Sequence, residues 1–328
     1  MMPNRSDEAL IEGVLTKLPS RYKKAVAIQK VQQGFSGASV YRIDFPDEKG
    51  FLKIATTTLN PVIVDRALRE VNFYRDLAAK VPLLVPHMLA THEDTDTIAL
   101  LIKAYTPSQS PSIWTISDYL EAARQLGQFH AAYWGKTELL SAFSWLKWYQ
   151  SDDYTVDILD AQVAWQALFN QPRLGHVLNE KIIDFIHRLL ARPEAIRRFR
   201  QLLPLTLCHG DCTTYNVLRD REGQFIWTDW QEVRLSYGPE DLAFFIHRAS
   251  ADGADVARDE MINQYCLSLQ QYTGQMIQLP VMQRVMDASD LWVCVVHWPF
   301  YIKDASEAFI SELIEKIHGL VSKLDLVI

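Results

Sequence analysis

Between Ala25 and Ala55, apolar and polar positions alternate with a period of two: an apolar approach to GFSG, then VYRIDF, a PDEKG turn, and FLKIA. Successive strand residues face opposite sides of a sheet, so this pattern predicts three antiparallel strands joined by two turns. The period then changes. Over 62–79, Val64, Ala67, Leu68, Val71, Tyr74 and Ala78 recur every three or four residues, which places them on one helical face. TDTIALLIKAY at 95–105 reads as a hairpin arm and a further strand. The first hundred residues are therefore expected to form a small sheet with one main helix.

A polar Pro/Ser stretch, TPSQSPS at 106–112, suits a hinge. Beyond it helical spacing dominates, over about 116–134, 155–170, 178–201, 239–272 and 281–325. The exception is 215–230, where two short alternating runs flank a DREG turn and predict a hairpin. Pairing residue 219 with 224 would set Asn216 opposite Trp227, with Asp229 two positions further on the same face. The expectation is an α+β chain with a small antiparallel β lobe at 1–104 and a larger, mainly helical lobe at 105–328, the latter carrying a helical insert near 135–175.

Composition narrows the class. At 328 residues and 48% hydrophobic content the chain can bury a sizeable core. Four cysteines form no disulfide framework, and neither a signal-like run nor a membrane-length apolar stretch is present, so a cytoplasmic protein with reduced thiols is expected. The net charge of −7 is uneven: residues 1–104 carry 14 Lys and Arg against 12 Asp and Glu, and the remainder 19 against 28. An acidic second part argues against nucleic-acid binding and favours cationic ligands.

The chemistry concentrates in CHGDCTTYNV at 208–217. Asn216 and Asp229, brought near each other by the hairpin, offer hard oxygens of the kind Mg²⁺ takes. Asp211, on the loop entering the hairpin, can orient a hydroxyl proton. Asp, four residues, Asn, then Asp after a hairpin is an arrangement used in phosphoryl transfer from ATP. A zinc site at Cys208, His209 and Cys212 lacks a fourth ligand at finger-like spacing, and a Cys208 nucleophile has its neighbour His209 pointing away from it. A loop capped by His209 and Asp211, or a metal-dependent hydrolase using that pair, is the remaining alternative.

A kinase reading demands a Gly-containing turn, a strand Lys and a helix Glu upstream. GFSG supplies Gly34 and Gly37, FLKIA supplies Lys53, and RALREVNFY supplies Glu70. Glu70 flanks the apolar stripe of its helix, so its carboxylate needs a buried partner, and Lys53 is the natural one. Each feature alone is ordinary; their order, ahead of the Asp/Asn/Asp set, is not.

With these residues in place the sequence resembles the aminoglycoside phosphotransferase and choline kinase superfamily, of protein-kinase-like two-lobed fold. The likeness is sharpest at HGDCTTYN, IWTDWQ and GPEDLAFF. The QLGQFHAAYWG helix and TDWQ lean towards the ecdysteroid-kinase-like, DUF1679 subgroup. The resemblance implies an ATP- and Mg²⁺-dependent kinase acting on a hydroxyl of a small molecule, with Asp211 catalytic and Asn216 and Asp229 holding the metal. By the same analogy Lys53 and Glu70 orient the nucleotide phosphates, Gly34, Ser36 and Gly37 cover them, and Ile102 to Tyr105 meets adenine. His209 and Asp241 would brace the loops. Lys103 stands where the superfamily often has an acidic residue, and the glycine turn is short.

The resemblance also implies an acceptor site built from the insert, where Asp153 and Asp157 stand near Trp148 and other aromatics, and from the C-terminal helices. Carboxylates beside aromatic faces can hold a cation, such as an amino alcohol or aminoglycoside-like amine; a solvated acidic helix face is the simpler account. WVCVVHWPFY at 292–301 reads as core. A monomer or homodimer is expected, and the competing function is a catalytically silent, nucleotide-binding kinase-like module.

Overall fold

The computed structural model describes residues 5–31, 38–148 and 153–327. In chain order the elements are α1 (Arg5–Lys17), β1 (Ala27–Lys30), β2 (Ser39–Asp44), β3 (Lys49–Thr56), α2 (Pro61–Asp76), β4 (Met88–Glu93), β5 (Thr97–Lys103), α3 (Ile116–Tyr133), α4 (Thr137–Ser141) and β6 (Lys147–Trp148). Then follow α5 (Asp153–Phe169), α6 (Glu180–Leu190), α7 (Pro193–Arg200), β7 (Thr206–Cys208), β8 (Val217–Arg219), β9 (Phe225–Trp227), β10 (Arg234–Ser236), α8 (Pro239–Ala251), α9 (Arg258–Thr273), α10 (Leu279–Trp292) and α11 (Glu307–Lys323). Among the described residues no helix is long and apolar enough to cross a membrane.

Two compact units divide these elements: Met1–Ser110 with His209–Val233, and Pro111–Cys208 with Arg234–Ile328. The first contains an antiparallel five-stranded sheet in the order β1-β2-β3-β5-β4. The strand period decides what each face holds. Leu52 and Ile54 of β3, with Ala99 and Leu101 of β5, pack into one cluster with Ile11, Val14 and Leu15 of α1. The intervening residues, Lys53, Ala55, Ile98 and Leu100, line a cavity with Ala67, Glu70 and Val71 of α2. Lys53 is thus placed on the α2 side by alternation alone. Asn60 caps α2 by accepting the Val62 N–H at 2.9 Å, and Pro61 fills the first helical position, where its missing N–H costs nothing.

The second unit is mainly helical. Its main core joins α5, α6, α7, α10 and α11 around Trp165, Ile186, Leu291 and Ile317, and α3 packs on α9. Thr115 and Asp118 form a reciprocal capping box at the start of α3. A short sheet, β6-β10-β7, completes the unit.

Several expected helices are divided. The stretch 178–201 breaks at Arg192, ahead of Pro193, because proline disfavours helical backbone in the residue before it. The stretch 239–272 breaks where Gly253 adopts φ +87°, and α10 gives way to short helical turns around Pro299 before Ser306 caps α11. Helix α1 was not expected, and neither were β6, β7 and β10.

The hairpin register also differs: Arg219 pairs with Phe225, so Val217 faces Trp227 and Asn216 reaches Thr228, whose N–H donates to the Asn216 carbonyl at 2.9 Å. Arg221, Glu222 and Gly223 form a three-residue loop, closed by hydrogen bonds between Asp220 and Gln224, with Gly223 at φ +83°. A three-residue loop with glycine in the left-handed region shifts the pairing by one from that of a two-residue turn. In 292–301, Val293 to Val296 are core as expected, whereas Phe300 and Tyr301 are exposed.

At Gly127 on α3 an added Cβ would lie 2.7 Å from the Ser268 Cβ and 2.8 Å from the Tyr265 carbonyl on α9. Gly127→Ala is therefore expected to destabilise by about 1–3 kcal/mol, read as a lower denaturant midpoint. An unchanged midpoint would mean that α3 and α9 do not pack this closely.

Candidate active site

Every residue of the proposed nucleotide and metal set that is described lies in the first unit. Lys53 Nζ donates to Glu70 Oε1 and Oε2 at 2.7 and 2.9 Å and to Asp229 Oδ1 at 2.7 Å. Glu70 is 3% exposed. Burial pulls the Lys53 ammonium down, but Asp229 and Glu70 outweigh it and hold it above its ordinary value. Burial pushes the Glu70 carboxyl up against the pull of Lys53, and Asp229 adds to the rise. One ammonium thus answers two carboxylates.

Asp211 and Asn216 form the second half. Asn216 Nδ2 donates to the Asp211 carbonyl at 2.8 Å and to its Oδ2 at 3.1 Å, which leaves the amide oxygen of Asn216 for another partner. Burial raises the Asp211 carboxyl above the usual carboxylate range, and the charge of Asp229 raises it further. His209, fully buried, donates Nε2–H to the Thr228 carbonyl at 2.9 Å, while its Nδ1 accepts the Asp211 N–H at 3.3 Å. That ring joins the loop carrying Asp211 to the residue before Asp229.

Asp229 has a left-handed backbone, φ 65° and ψ 57°, at the turn leaving β9. A non-glycine residue held there needs support from its surroundings. Residues that sequence reading did not single out provide it. The Trp230 ring stacks on Phe73 of α2 at 4.0 Å and 8°, and it also meets His209 at 4.5 Å. Trp230 Nε1 donates to the Trp227 carbonyl at 2.8 Å. Arg69, 4% exposed, donates to the Gln231 carbonyl at 2.8 Å and pairs with Glu232, which also pairs with Arg66. The one available signal was a second charged residue, Arg69, beside Glu70 on a helix otherwise docked by apolar groups.

The other candidates are placed as follows. Ile102 is buried in β5 opposite Phe51, and Tyr105 lies just beyond β5 with the Lys103 ammonium 5.9 Å from its ring centroid. Gly34, Ser36 and Gly37 fall outside the described residues. Asp241, on α8 of the second unit, is buried with His130 Nε2 3.2 Å away, and His130 Nδ1 meets the Tyr265 hydroxyl at 2.8 Å. Trp148 ends β6 and Asp153 opens α5, though their side chains lie outside the described set; Asp157 on α5 is half-buried.

Among the described residues, the His, Cys, Asp and Glu side chains give one group of three with metal-ligand proximity, His130, Cys208 and Asp241, all buried. Both nitrogens of His130 are already engaged. Burial pushes the Cys208 thiol well above its ordinary value, so it does not offer a thiolate. Cys208 and Cys212 are fully buried packing residues.

A search of curated proteins finds no match. Among solved structures, the Plasmodium vivax ethanolamine kinase shares 10% identity at a TM-score of 0.64, covering 98% of this chain and 92% of its own. An ADP-bound aminoglycoside phosphotransferase shares 12% at 0.60, covering 96% and 99%. An aminoglycoside-3'-phosphotransferase of type VIII shares 19% at 0.51, covering 87% and 100%. These likenesses are of fold, the two-lobed protein-kinase-like arrangement of an antiparallel sheet and a mainly helical part. Residues 27–276 match the profile of the phosphotransferase enzyme family. The chain therefore belongs to the phosphotransferase enzyme family and is a small-molecule kinase.

Proposed function

We propose that the protein transfers the γ-phosphate of ATP to a hydroxyl of a small, amine-bearing molecule, with Mg²⁺ as its metal. The observation that carries this reading is the charge balance at Lys53. Its single ammonium sits with Glu70 and Asp229, and the half-buried Asp211 feels the same Asp229 charge. Three carboxylates against one ammonium leave room for a divalent cation, and the available donors, Asp229 and the Asn216 amide oxygen, are hard oxygens that fit Mg²⁺ better than zinc.

Asn216 and Asp229 would hold the metal, which when bound neutralises charge on the phosphates. Lys53, held by Glu70, would present its ammonium to the nucleotide, with Gly34, Ser36 and Gly37 over the phosphates and Ile102 to Tyr105 beside the base. Asp211 would orient the acceptor hydroxyl and take its proton, its own position held by Asn216 and by the His209 contact to its N–H. In this reading residues 1–104 bind nucleotide and 105–328 carry the catalytic and acceptor elements, with His209 and Asp241 as braces of the catalytic and metal loops. Asp153, Asp157 and Trp148 are the acceptor candidates. The named substrates of structural neighbours support an amine: ethanolamine, aminopropanol and aminoglycosides.

ADP release across a panel of amino alcohols and aminoglycosides tests the assignment. Asp211→Ala is expected to lower kcat by about 10²- to 10⁴-fold, and Asp229→Ala to remove Mg²⁺-dependent turnover. Wild-type rates in both variants would overturn it, whereas Mg·ATP binding with no ADP release from the wild type would identify a silent nucleotide-binding module.

Stability gives a second test. Because the folded-state pKa of Asp211 is raised above its ordinary 3.8 by burial, its ionised form costs stability at neutral pH, and that cost disappears as pH falls through the raised value. In metal-free buffer at pH 7, Asp211→Asn is therefore expected to melt higher than wild type. The gap should close on acidification towards pH 3.8. A variant that melts lower at pH 7 would contradict the buried-carboxylate account.

A further inference from the structure

The backbone around Asp229 is pinned on both sides. One residue before it, the Thr228 carbonyl accepts from His209 Nε2 at 2.9 Å, and two residues after it, the Gln231 carbonyl accepts from Arg69 Nη1 at 2.8 Å. Between these carbonyls lie the left-handed Asp229 and the start of the short helical turn Trp230–Glu232. Left-handed backbone is unfavourable for a residue with a Cβ, so a turn released at one end relaxes towards commoner angles. Relaxation would re-aim the Asp229 carboxylate, because its direction follows from the φ and ψ of its own residue.

The other contacts of this turn cannot do the work of Arg69. Trp230 packs on Phe73 face to face, an apolar contact with little directional preference. Lys53 holds the Asp229 carboxylate itself, and in phosphotransfer that ammonium turns to the nucleotide while the carboxylate turns to the metal. Arg69 instead grips the main chain, and neither event competes for its bond. The guanidinium is fixed by its own partners: Nη2 pairs with Asp65 one turn back along α2, and Nη1 lies 3.5 Å from Glu232 Oε2, a carboxylate that also pairs with Arg66. A planar guanidinium 4% exposed and held in this way is a rigid anchor.

We propose that Arg69 is a positioning residue for the metal half of the site: through the Gln231 carbonyl it keeps Asp229 in the geometry that takes the divalent cation, without itself touching cation, nucleotide or acceptor. This rests on the reading of Asp229 as a metal ligand. Apparent affinity scales with the fraction of molecules already in the binding geometry. Loss of the anchor therefore weakens metal binding, while the molecules that do load with metal react at the normal rate.

Mn²⁺ binding to the full chain with the non-hydrolysable ATP analogue AMP-PNP, followed by the paramagnetic resonance of the free ion, tests this without an acceptor. Arg69→Met keeps the apolar stem and removes the donors, and is expected to weaken Mn²⁺ binding by about tenfold or more. Arg69→Lys restores a charge and a donor without the planar fork, and should fall between Arg69→Met and wild type. Metal-free AMP-PNP binding should stay within about twofold of wild type in both variants; a general loosening of α2, which carries Glu70, would weaken it as well. With the amino alcohol or aminoglycoside that gives the fastest ADP release, the half-saturating Mg²⁺ concentration should rise by the same factor as the Mn²⁺ Kd, with kcat at saturating Mg²⁺ retained. Wild-type Mn²⁺ affinity in Arg69→Met, or an equal loss of metal-free AMP-PNP binding, would overturn the role of Arg69 and leave Asp229 as a metal ligand. If Arg69→Met does not fold, wild-type Mn²⁺ affinity in Arg69→Lys overturns it instead. Wild-type protein that binds no Mn²⁺, or Asp229→Ala that binds it as tightly as wild type, would overturn the metal reading of Asp229 and the role of Arg69 with it.

Discussion

The contact of Lys53 with Glu70 and Asp229 holds together three parts of the first unit: a central strand, the helix packed on that strand, and the turn that leaves the hairpin. A buried carboxylate without its cation costs several kcal/mol, so α2 can dock in this position only while Lys53 answers Glu70. Asp229 belongs to the same balance. The turn that carries it meets α2 through the same ammonium, and the site consequently concentrates negative charge around Lys53.

Charge alone does not set the direction of Asp229. Its left-handed backbone is held by Trp230, set between Phe73 and His209, and by Arg69 gripping the Gln231 carbonyl. His209 extends the support to the loop of Asp211 through the Thr228 carbonyl. Helix α2 thereby positions Asp229 through packing, hydrogen bonding and charge together, and a shift of the helix would disturb each of them.

How much of this was legible in the chain varied with the range of the interaction. Strands β1 to β3, α2 and α3 were readable because alternation and three-to-four spacing are local consequences of which face is buried. Helix α1 was passed over, although Ile11, Val14, Leu15 and Leu18 are all buried, because its stripe acquires meaning only from the sheet it covers. The hairpin register slipped by one because DREG permits either a two- or a three-residue loop, and the left-handed Gly223 selects the longer. Within the site, the order Lys53, Glu70, Asp211, Asn216, Asp229 was visible, whereas Phe73 and Trp230 were not distinguishable from ordinary core residues and Arg69 showed only as a second charge beside Glu70.

By itself the sequence determined the residue types available for chemistry and the faces on which regular elements present them, because both follow from side-chain identity and backbone period. Only the tertiary structure decided which of them meet. That Lys53 bonds two carboxylates rather than one, and that Arg69 grips the Gln231 carbonyl, depend on segments 176 and 162 residues apart. Pairings at that separation are fixed by packing and by the cost of burying unmatched charge, neither of which leaves a periodic trace along the chain.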